Sequence, residues 1–523
     1  MAVGKKVALI ILDGFAISKE DRGNAIVAAK TPYLEEIFKK YPKALLKASS
    51  EEVGLPWGEF GNSEVGHTTI GLGRVVLQDL PQIDKAINNK SIEKKSVLIE
   101  AQKKANENNS QINIIGIASD GAVHGHINHM IALAKMFKAS NPKNKIILHL
   151  ITDGRDVPEK SADKYIEQID NNLKNTALIG SLMGRYFAMD RDKNWDRIKS
   201  AYQAILGGAK VEISPKEVVA RSYSNNKTDE FIEPVSFGDF KADLEKDIFI
   251  FCNYRADRAI QLTRAFVDPT LQEINNGKTA NNFITMKTYD DNLNSQVLFS
   301  NLELNDPTVN PLTNPLSKLV SEAGKTQFHI AETEKFAHVT YFFSGGIKDE
   351  LPGQKNLLIQ SEKVKSYDLF PQMKAPEITQ ELKKIATENI DFIVANYANP
   401  DMVGHSGNFD AAVKAVEVLD KCLSESIPSL LNNNYNIILT ADHGNCDEMI
   451  DLKSGKPNKE HSLNPVPFLF ISNENQGNFI DLYSVKSLEP VGILADIAPT
   501  IVDELGLELP SEMTGINLKN SLS

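Results

Sequence analysis

Short apolar runs that stop abruptly at a cluster of polar residues recur along this chain, and they leave it few folds to choose from. Val7-Ala8-Leu9-Ile10-Ile11-Leu12 has no polar position, the pattern of a strand buried on both faces in a parallel sheet, and it ends at Asp13-Gly14. Ile112–Ala118 leads likewise into Ser119-Asp120-Gly121-Ala122-Val123-His124, and Lys145–Ile151 into Thr152-Asp153-Gly154-Arg155-Asp156. Ile179–Met183 runs into Gly184-Arg185 and on to Arg191, and Ile248–Cys252 into Asn253-Tyr254-Arg255-Ala256-Asp257-Arg258. Phe392–Asn396 precedes Pro400-Asp401-Met402-Val403-Gly404-His405, and Ile437–Thr440 precedes Ala441-Asp442-His443-Gly444. Helix-like segments such as Ser161–Leu173 and Phe409–Leu423 lie between. Strands alternating with helices predict an α/β chain with mainly parallel sheets. In open α/β sheets, ligands sit beyond the carboxyl ends of the strands, which is where these polar residues fall. For Asp13 the competing role is to cap the next helix.

The polar strand ends divide into two chemical classes. The middle of the chain supplies His124, Arg155, Asp156, Arg185, Arg191, Arg255 and Arg258, an anion-binding set. The two ends supply Asp13, Ser63, Asp401, His405, Asp442, His443 and His461, which combine metal ligands with a nucleophile. The split predicts an outer domain, residues 1–78 and 309–523, interrupted by an inserted domain, residues 79–308. The joins are expected near Val76–Ile83 and in the Pro-rich Asp306–Pro315. The chain has 523 residues, enough for two large domains or three to four average ones.

With 57 Lys and Arg against 69 Asp and Glu, the net charge is −12, which argues against nucleic acid or an anionic membrane as partner. A small anionic substrate must therefore be held by local cations. Cys252, Cys422 and Cys446 are scattered and odd in number, which fits a reducing cytoplasm. No apolar run approaches the ~20 residues of a membrane span, and the six apolar residues Val7–Leu12 are too few for a signal peptide. A cytoplasmic monomer is expected.

Gly61-Asn62-Ser63-Glu64-Val65-Gly66-His67 reads as a Gly-bracketed serine in a polar loop, open to close approach by a ligand. A serine there is unactivated by itself, and an ordinary surface turn is the competing reading. Asp401 and His405, four residues apart, can reach one ion, and Asp442-His443 places two ligand types together after a buried strand. His461 has nothing local to define a site. Mixed Asp and His ligands suit Mn²⁺ or Zn²⁺, and two ions together would activate Ser63 and accept phosphate oxygens. His126 and His129 read as helix-start residues, and His149, inside an apolar run, as a core histidine.

These residues resemble the cofactor-independent phosphoglycerate mutases. The resemblance is carried by Asp13-Gly14, the Gly61–His67 stretch, Gly154-Arg155-Asp156 and Arg255-Ala256-Asp257-Arg258. Ala331-Glu332-Thr333-Glu334-Lys335, Asn399–His405, Ala441–Gly444 and Asp496–Val502 extend it over essentially the whole chain. It implies an alkaline-phosphatase-like metal domain carrying an inserted substrate-binding domain. The implied reaction is the glycolytic and gluconeogenic interconversion of 3-phosphoglycerate and 2-phosphoglycerate through a phosphoserine, without bisphosphoglycerate. Two ions are implied, usually Mn²⁺, with Zn²⁺ or Co²⁺ as alternatives. One would take Asp401, His405 and His461; the other would take Asp13, Ser63, Asp442 and His443. The implied substrate set is His124, Arg155, Asp156, Arg185, Arg191, Arg255, Arg258 and Lys335, with Asp156 moving the proton. Ala16, Thr69, Leu72 and Cys446 depart from the commoner family residues, and none is a proposed ligand. A metal-dependent phosphomonoesterase, a phosphopentomutase and a non-catalytic sugar-phosphate sensor are the rival readings.

Overall fold

The computed structural model describes residues 4–300 and 313–522. The chain divides into two compact units, Met1–Gln78 with Asn310–Ser523, and Asp79–Val309. Within the Pro-rich segment expected at the second join, residues 306–312 lie outside the described residues.

The first unit is built on an eight-stranded sheet. Its spatial order is Gln354–Ile359, Gln327–Glu332, Phe392–Tyr397, Lys6–Leu12, Tyr435–Thr440, Val466–Ile471, Lys43–Lys47 and Gly492–Ile493. The first five strands run parallel, and only Val466–Ile471 opposes its neighbours. Lys6–Leu12 lies at the centre, with Ile11 in register with Asn396 on one side and Thr440 on the other. Its residues Val7–Leu12 are fully buried, as an all-apolar run covered on both faces requires. Removing each of its larger side chains from water contributes roughly 1.5–3 kcal/mol. That apolar anchoring sets Asp13, Asp401 and Asp442 beyond the carboxyl ends of three adjacent parallel strands.

The second unit repeats the architecture. Its order is Gln296–Phe299, Phe283–Lys287, Ile248–Phe251, Gln111–Ile117, Lys145–Thr152, Leu178–Gly184, Val235–Phe237 and Lys210–Val211. The first six strands are parallel, and Val235–Phe237 opposes Leu178–Gly184. Both units are therefore α/β with mainly parallel sheets. Among the described residues, no helix is long and apolar enough to cross a membrane.

All seven apolar runs form strands, displaced by one or two residues at their ends. Gln327–Glu332 gave no such pattern, because Gln327 and His329 interrupt it. Both are nevertheless buried and bonded to each other, His329 Nε2 lying 3.0 Å from Gln327 Oε1. The larger difference is at Ser63. The stretch read as a loop ends at Asn62, whose side chain accepts from Val65 N–H, and Ser63 opens the helix Ser63–Leu72. Gly66 is not a turn residue: it lies inside that helix, where an added Cβ would come within 2.8 Å of the Asp442 carbonyl oxygen. His126 caps the helix Ile127–Ser140, accepting from Asn128 N–H, and His129 lies in its first turn.

His149 is a core residue of the second unit, bonded to Ser181 Oγ at 2.8 Å and Asn113 Oδ1 at 3.1 Å. Burial pulls its pKa down to about 3. Below pH ~6.5 the unfolded chain takes up a proton that the folded chain refuses, so acid destabilises this unit between those two values. The slope from this one group is at most ~1.4 kcal/mol per pH unit. Replacing it with a side chain that does not titrate, His149→Gln, is expected to flatten the loss. Hydrogen exchange of the Lys145–Thr152 amides at pH 7 and pH 5 measures it; equal slopes in the two proteins would exonerate His149.

Candidate functional site

In the first unit, Ser63 Oγ lies 2.6 Å from Lys335 Nζ, 2.9 Å from His443 Nε2 and 3.2 Å from Asp13 Oδ1. Ser63 is 7% exposed, and Asp13, Asp442 and His443 are fully buried. Lys335 comes from the short helix Thr333–Ala337 and sits between two carboxylates, 2.6 Å from Asp13 Oδ1 and 2.6 Å from Asp401 Oδ2. Burial opposes its charge, yet Asp13, Asp401 and Asp442 hold its pKa well above the ordinary lysine range. Burial also pushes the Asp13 carboxyl up, with the neighbouring Asp442 adding to the effect. Asp401 is buried too, but Lys335 and its imidazole neighbours hold it well below the usual carboxylate range. Asp442 is likewise lowered against its burial, chiefly by His443.

A test for a bound cation lies in the imidazoles. His405 Nδ1 is 2.7 Å from Lys459 O, and His461 Nδ1 is 2.7 Å from Gly61 O. A carbonyl oxygen only accepts, so both Nδ1 atoms carry a proton, and in the neutral ring each Nε2 presents a lone pair. Those Nε2 atoms are 3.0 Å apart, and Asp401 Oδ1 is 3.3 Å from one and 3.2 Å from the other. With both rings neutral, three acceptors converge with no proton between them, an arrangement that a bound cation would satisfy. In its absence the pocket draws protons: the bond to Asp401 raises the pKa of His405, and for His461 the same carboxylate overcomes burial.

By distance alone, Asp401, His443 and His461 form one group that could hold an ion, and Asp13, His67 and Asp442 form another. All seven residues expected as nucleophile or ligands thus meet in one place. His67, Asn396 and Asn445 belong to the same cluster but were not anticipated. Asn445 Nδ2 donates to Asp401 Oδ1 at 3.0 Å. His67 was legible only once Ser63 is placed on a helix, where a residue four positions on shares its face.

The second unit gathers the cationic set beyond four adjacent parallel strands. Arg185 Nη1 donates to Asp153 Oδ1 and to Asp156 Oδ2, each at 2.6 Å. Asp153 is buried and further bonded by Ser119 Oγ at 2.7 Å and by the backbone N–H groups of Arg155 and Asp156. Arg191 Nη1 lies 2.9 Å from Asp257 Oδ2, and Arg255 Nε lies 3.2 Å from Asp257 Oδ1. His124 stands between Asp156 and Asp257 at 3.9 and 3.8 Å, and burial, reinforced by Arg185, pulls its pKa down to about 4. Arg258 donates to Met189 O, and its pKa is lowered by burial and by the nearby Arg191, Arg185 and Arg155. Arg155, more exposed, lies 3.6 Å from Glu230 Oε1. The whole anticipated set is therefore local. Two of the acids that hold it, Asp153 and Asp257, were not anticipated, since their pairing with Arg185, Arg191 and Arg255 depends on the fold.

Parallel strands ending in buried carboxylates and imidazoles, with a serine among them, define a metal-dependent enzyme, and a model of the Metalloenzyme superfamily matches residues 5–509. Proteins similar to the chain narrow this further. It is 45% identical to the 2,3-bisphosphoglycerate-independent phosphoglycerate mutase of Clostridium novyi, over 98% of this chain and 99% of that one. The Clostridium kluyveri protein of the same name is 43% identical over 99% and 100%. The structure is also similar to Leishmania mexicana phosphoglycerate mutase, solved at low cobalt concentration, with a TM-score of 0.57 at 27% identity, covering 98% and 97%. The chain belongs to the 2,3-bisphosphoglycerate-independent phosphoglycerate mutase family.

Among the described residues, Lys335 is the one ammonium bonded to Ser63, Asp13 and Asp401 together. Lys335→Met is expected to destabilise the chelator-treated protein by about 3–5 kcal/mol, the cost of leaving a buried charge uncompensated. Saturating Mn²⁺ is expected to restore most of that loss. Urea unfolding with EDTA and with Mn²⁺ checks it; a loss equal in both conditions would mean that the ammonium and the ion do not share a role.

Proposed function

We infer that this chain is an isomerase that interconverts 3-phosphoglycerate and 2-phosphoglycerate without bisphosphoglycerate, serving glycolysis and gluconeogenesis in the cytoplasm as a monomer. The observation that carries the reading is Ser63 Oγ, held within 3.2 Å of Lys335, His443 and Asp13 in a buried carboxylate–imidazole cluster. The enzyme depends on divalent metal, and the finer proposal is two Mn²⁺. Asp401, His405 and His461 would hold one ion, and Asp13, Ser63, Asp442 and His443 the other. When bound, the ions favour the ionised Ser63 hydroxyl and offset charge on phosphate oxygens.

The chain's own residues supply the rest. Lys335 Nζ, already bonded to Ser63 Oγ, lowers the cost of the serine's negative charge and then meets the incoming phosphoryl oxygens. Ser63 takes the phosphoryl group, leaving glycerate bound by the unit formed by Asp79–Val309, which we propose is the substrate-binding domain. There Arg155, Arg185, Arg191, Arg255 and Arg258 offer planar donor forks that match carboxylate and phosphate. His124, kept neutral by burial across the physiological range, contributes a hydrogen bond rather than a charge. Asp156 takes the proton from whichever glycerate hydroxyl attacks the phosphoserine and returns it to the other oxygen. Its bond to Arg185 Nη1 fixes the carboxylate for that exchange. Water must be excluded while the phosphoserine exists, or hydrolysis would compete with transfer.

A coupled enolase assay without bisphosphoglycerate tests the reading directly: turnover is expected, and release of free phosphate in its place would make the chain a phosphatase. Ser63→Ala is expected to fold yet lose turnover by about 10⁴-fold or more, as loss of a nucleophile does. It should also fail to acquire ³²P from labelled substrate, and near-normal turnover would remove Ser63 from the mechanism. EDTA should abolish activity, and restoration by Mn²⁺, Co²⁺ and Zn²⁺ in parallel would rank the ions.

A further inference from the structure

Asn396 and His67 form a buried bridge that none of the roles above uses. Asn396 lies near the end of the Phe392–Tyr397 strand, beside the strand that delivers Asp13, and is fully buried. Its Nδ2 is 2.8 Å from Asp13 Oδ2 and 3.0 Å from His67 Nε2. The opposite amide orientation would press Oδ1 against the Asp13 carboxylate, so the nitrogen must face it. The two amide hydrogens then serve one acceptor each. His67 Nε2 is therefore an acceptor, and the ring proton sits on Nδ1. That Nδ1 points at Ser63 O, 2.8 Å away, and at Asp442 Oδ2, 3.3 Å away. Asn396 and His67 thus tie Asp13 and the Ser63 backbone into one hydrogen-bonded unit, with Asp442 Oδ2 3.3 Å from the same ring nitrogen.

His67 lies close enough to Asp13 and Asp442 to be drawn as a third ligand to an ion. The hydrogen bonds speak against it: one ring nitrogen is already an acceptor and the other carries a proton, so no lone pair is left. We propose that Asn396 and His67 are positioning residues for the ion held by Asp13 and Asp442, and that neither is a ligand. The physical need is plain. Negative charge on two carboxylates at adjacent strand ends repels, and a donor held against a carboxylate fixes its orientation. The Asn396 amide donates to Asp13, and the His67 N–H, bonded to Ser63 O, lies 3.3 Å from Asp442 Oδ2, without either adding a charge to a site built for cations. Partners of this kind, behind the ligands, are worth about 10–100-fold in metal affinity.

The inference rests on the two-ion reading, and the test separates the two. Mn²⁺ binding to the full chain is titrated by calorimetry, with EPR to count free ion and circular dichroism of the metal-free protein to confirm folding. Two ions on the wild-type chain are expected; fewer would refute the two-ion reading itself. Asn396→Ala and His67→Ala are expected to weaken one ion by about 10–100-fold while leaving the other within about threefold. His67→Asn sets an amide nitrogen where Nδ1 stood and should recover most of that affinity. His67→Gln sets its amide group at the Nε2 position and should not. Unchanged affinities in both Ala variants would overturn the proposal. So would outright loss of one ion in both His67→Ala and His67→Asn with Asn396→Ala unaffected, since His67 would then be a ligand. If either Ala variant fails to fold, the Asn and Gln variants decide, and identical behaviour of the two would overturn it.

Discussion

Three carboxylates buried at the ends of three neighbouring strands are the constraint on which the first unit turns. Asp13, Asp401 and Asp442 are each 2% exposed or less, so water screens none of them. Charges so placed are tolerated only with opposite charge and hydrogen bonds at contact distance. Lys335 provides one ammonium between Asp13 and Asp401, and the acceptor triangle of His405, His461 and Asp401 needs another cation. A demand for positive charge is therefore a property of the folded chain, present before any ligand arrives. Ser63 Oγ lies against the ammonium that answers part of that demand, and positive charge, unlike the carboxylates around it, favours an ionised hydroxyl.

The close quarters of this cluster explain the local backbone. The helix Ser63–Leu72 approaches the Asp442 strand end so closely that Gly66 leaves no room for a side chain. Gly14, at φ +75°, turns the chain away from Asp13 directly against Asp401. The motif's glycines thus let three backbones converge, which matters more here than any flexibility of a loop.

The second unit solves the opposite problem with the same sheet geometry. Five arginines near one another repel, and the unit holds them with acids of its own. Asp153, braced by Ser119 and two backbone N–H groups, anchors Arg185, while Asp257 joins Arg191 to Arg255. A guanidinium keeps free donors after such a pairing, so an anchored arginine still receives an anion. The repulsion among these cations is thus offset by acids of the same unit.

The amino-acid sequence by itself determined the α/β class, the strands that deliver the site and the two chemical sets at their ends. All-apolar runs can be satisfied only by burial on both faces, and polar residues that follow such a run must emerge at the sheet's edge. Those are local consequences of composition along a few residues. It did not determine that Ser63 begins a helix, since Gly, Asn and Ser favour turns until tertiary contact with Asp442 selects the helix. Nor did it mark Asn396 or His67, Asp153 or Asp257. Their roles depend on partners up to 383 residues away in the chain, as with Asn396 and Asp13. Hydrogen-bond direction, the orientation of an amide and the tautomer of a ring are settled only when those partners are in place. The tertiary structure decided them because a buried donor or acceptor takes its role from what it faces, and the linear chain does not carry that information.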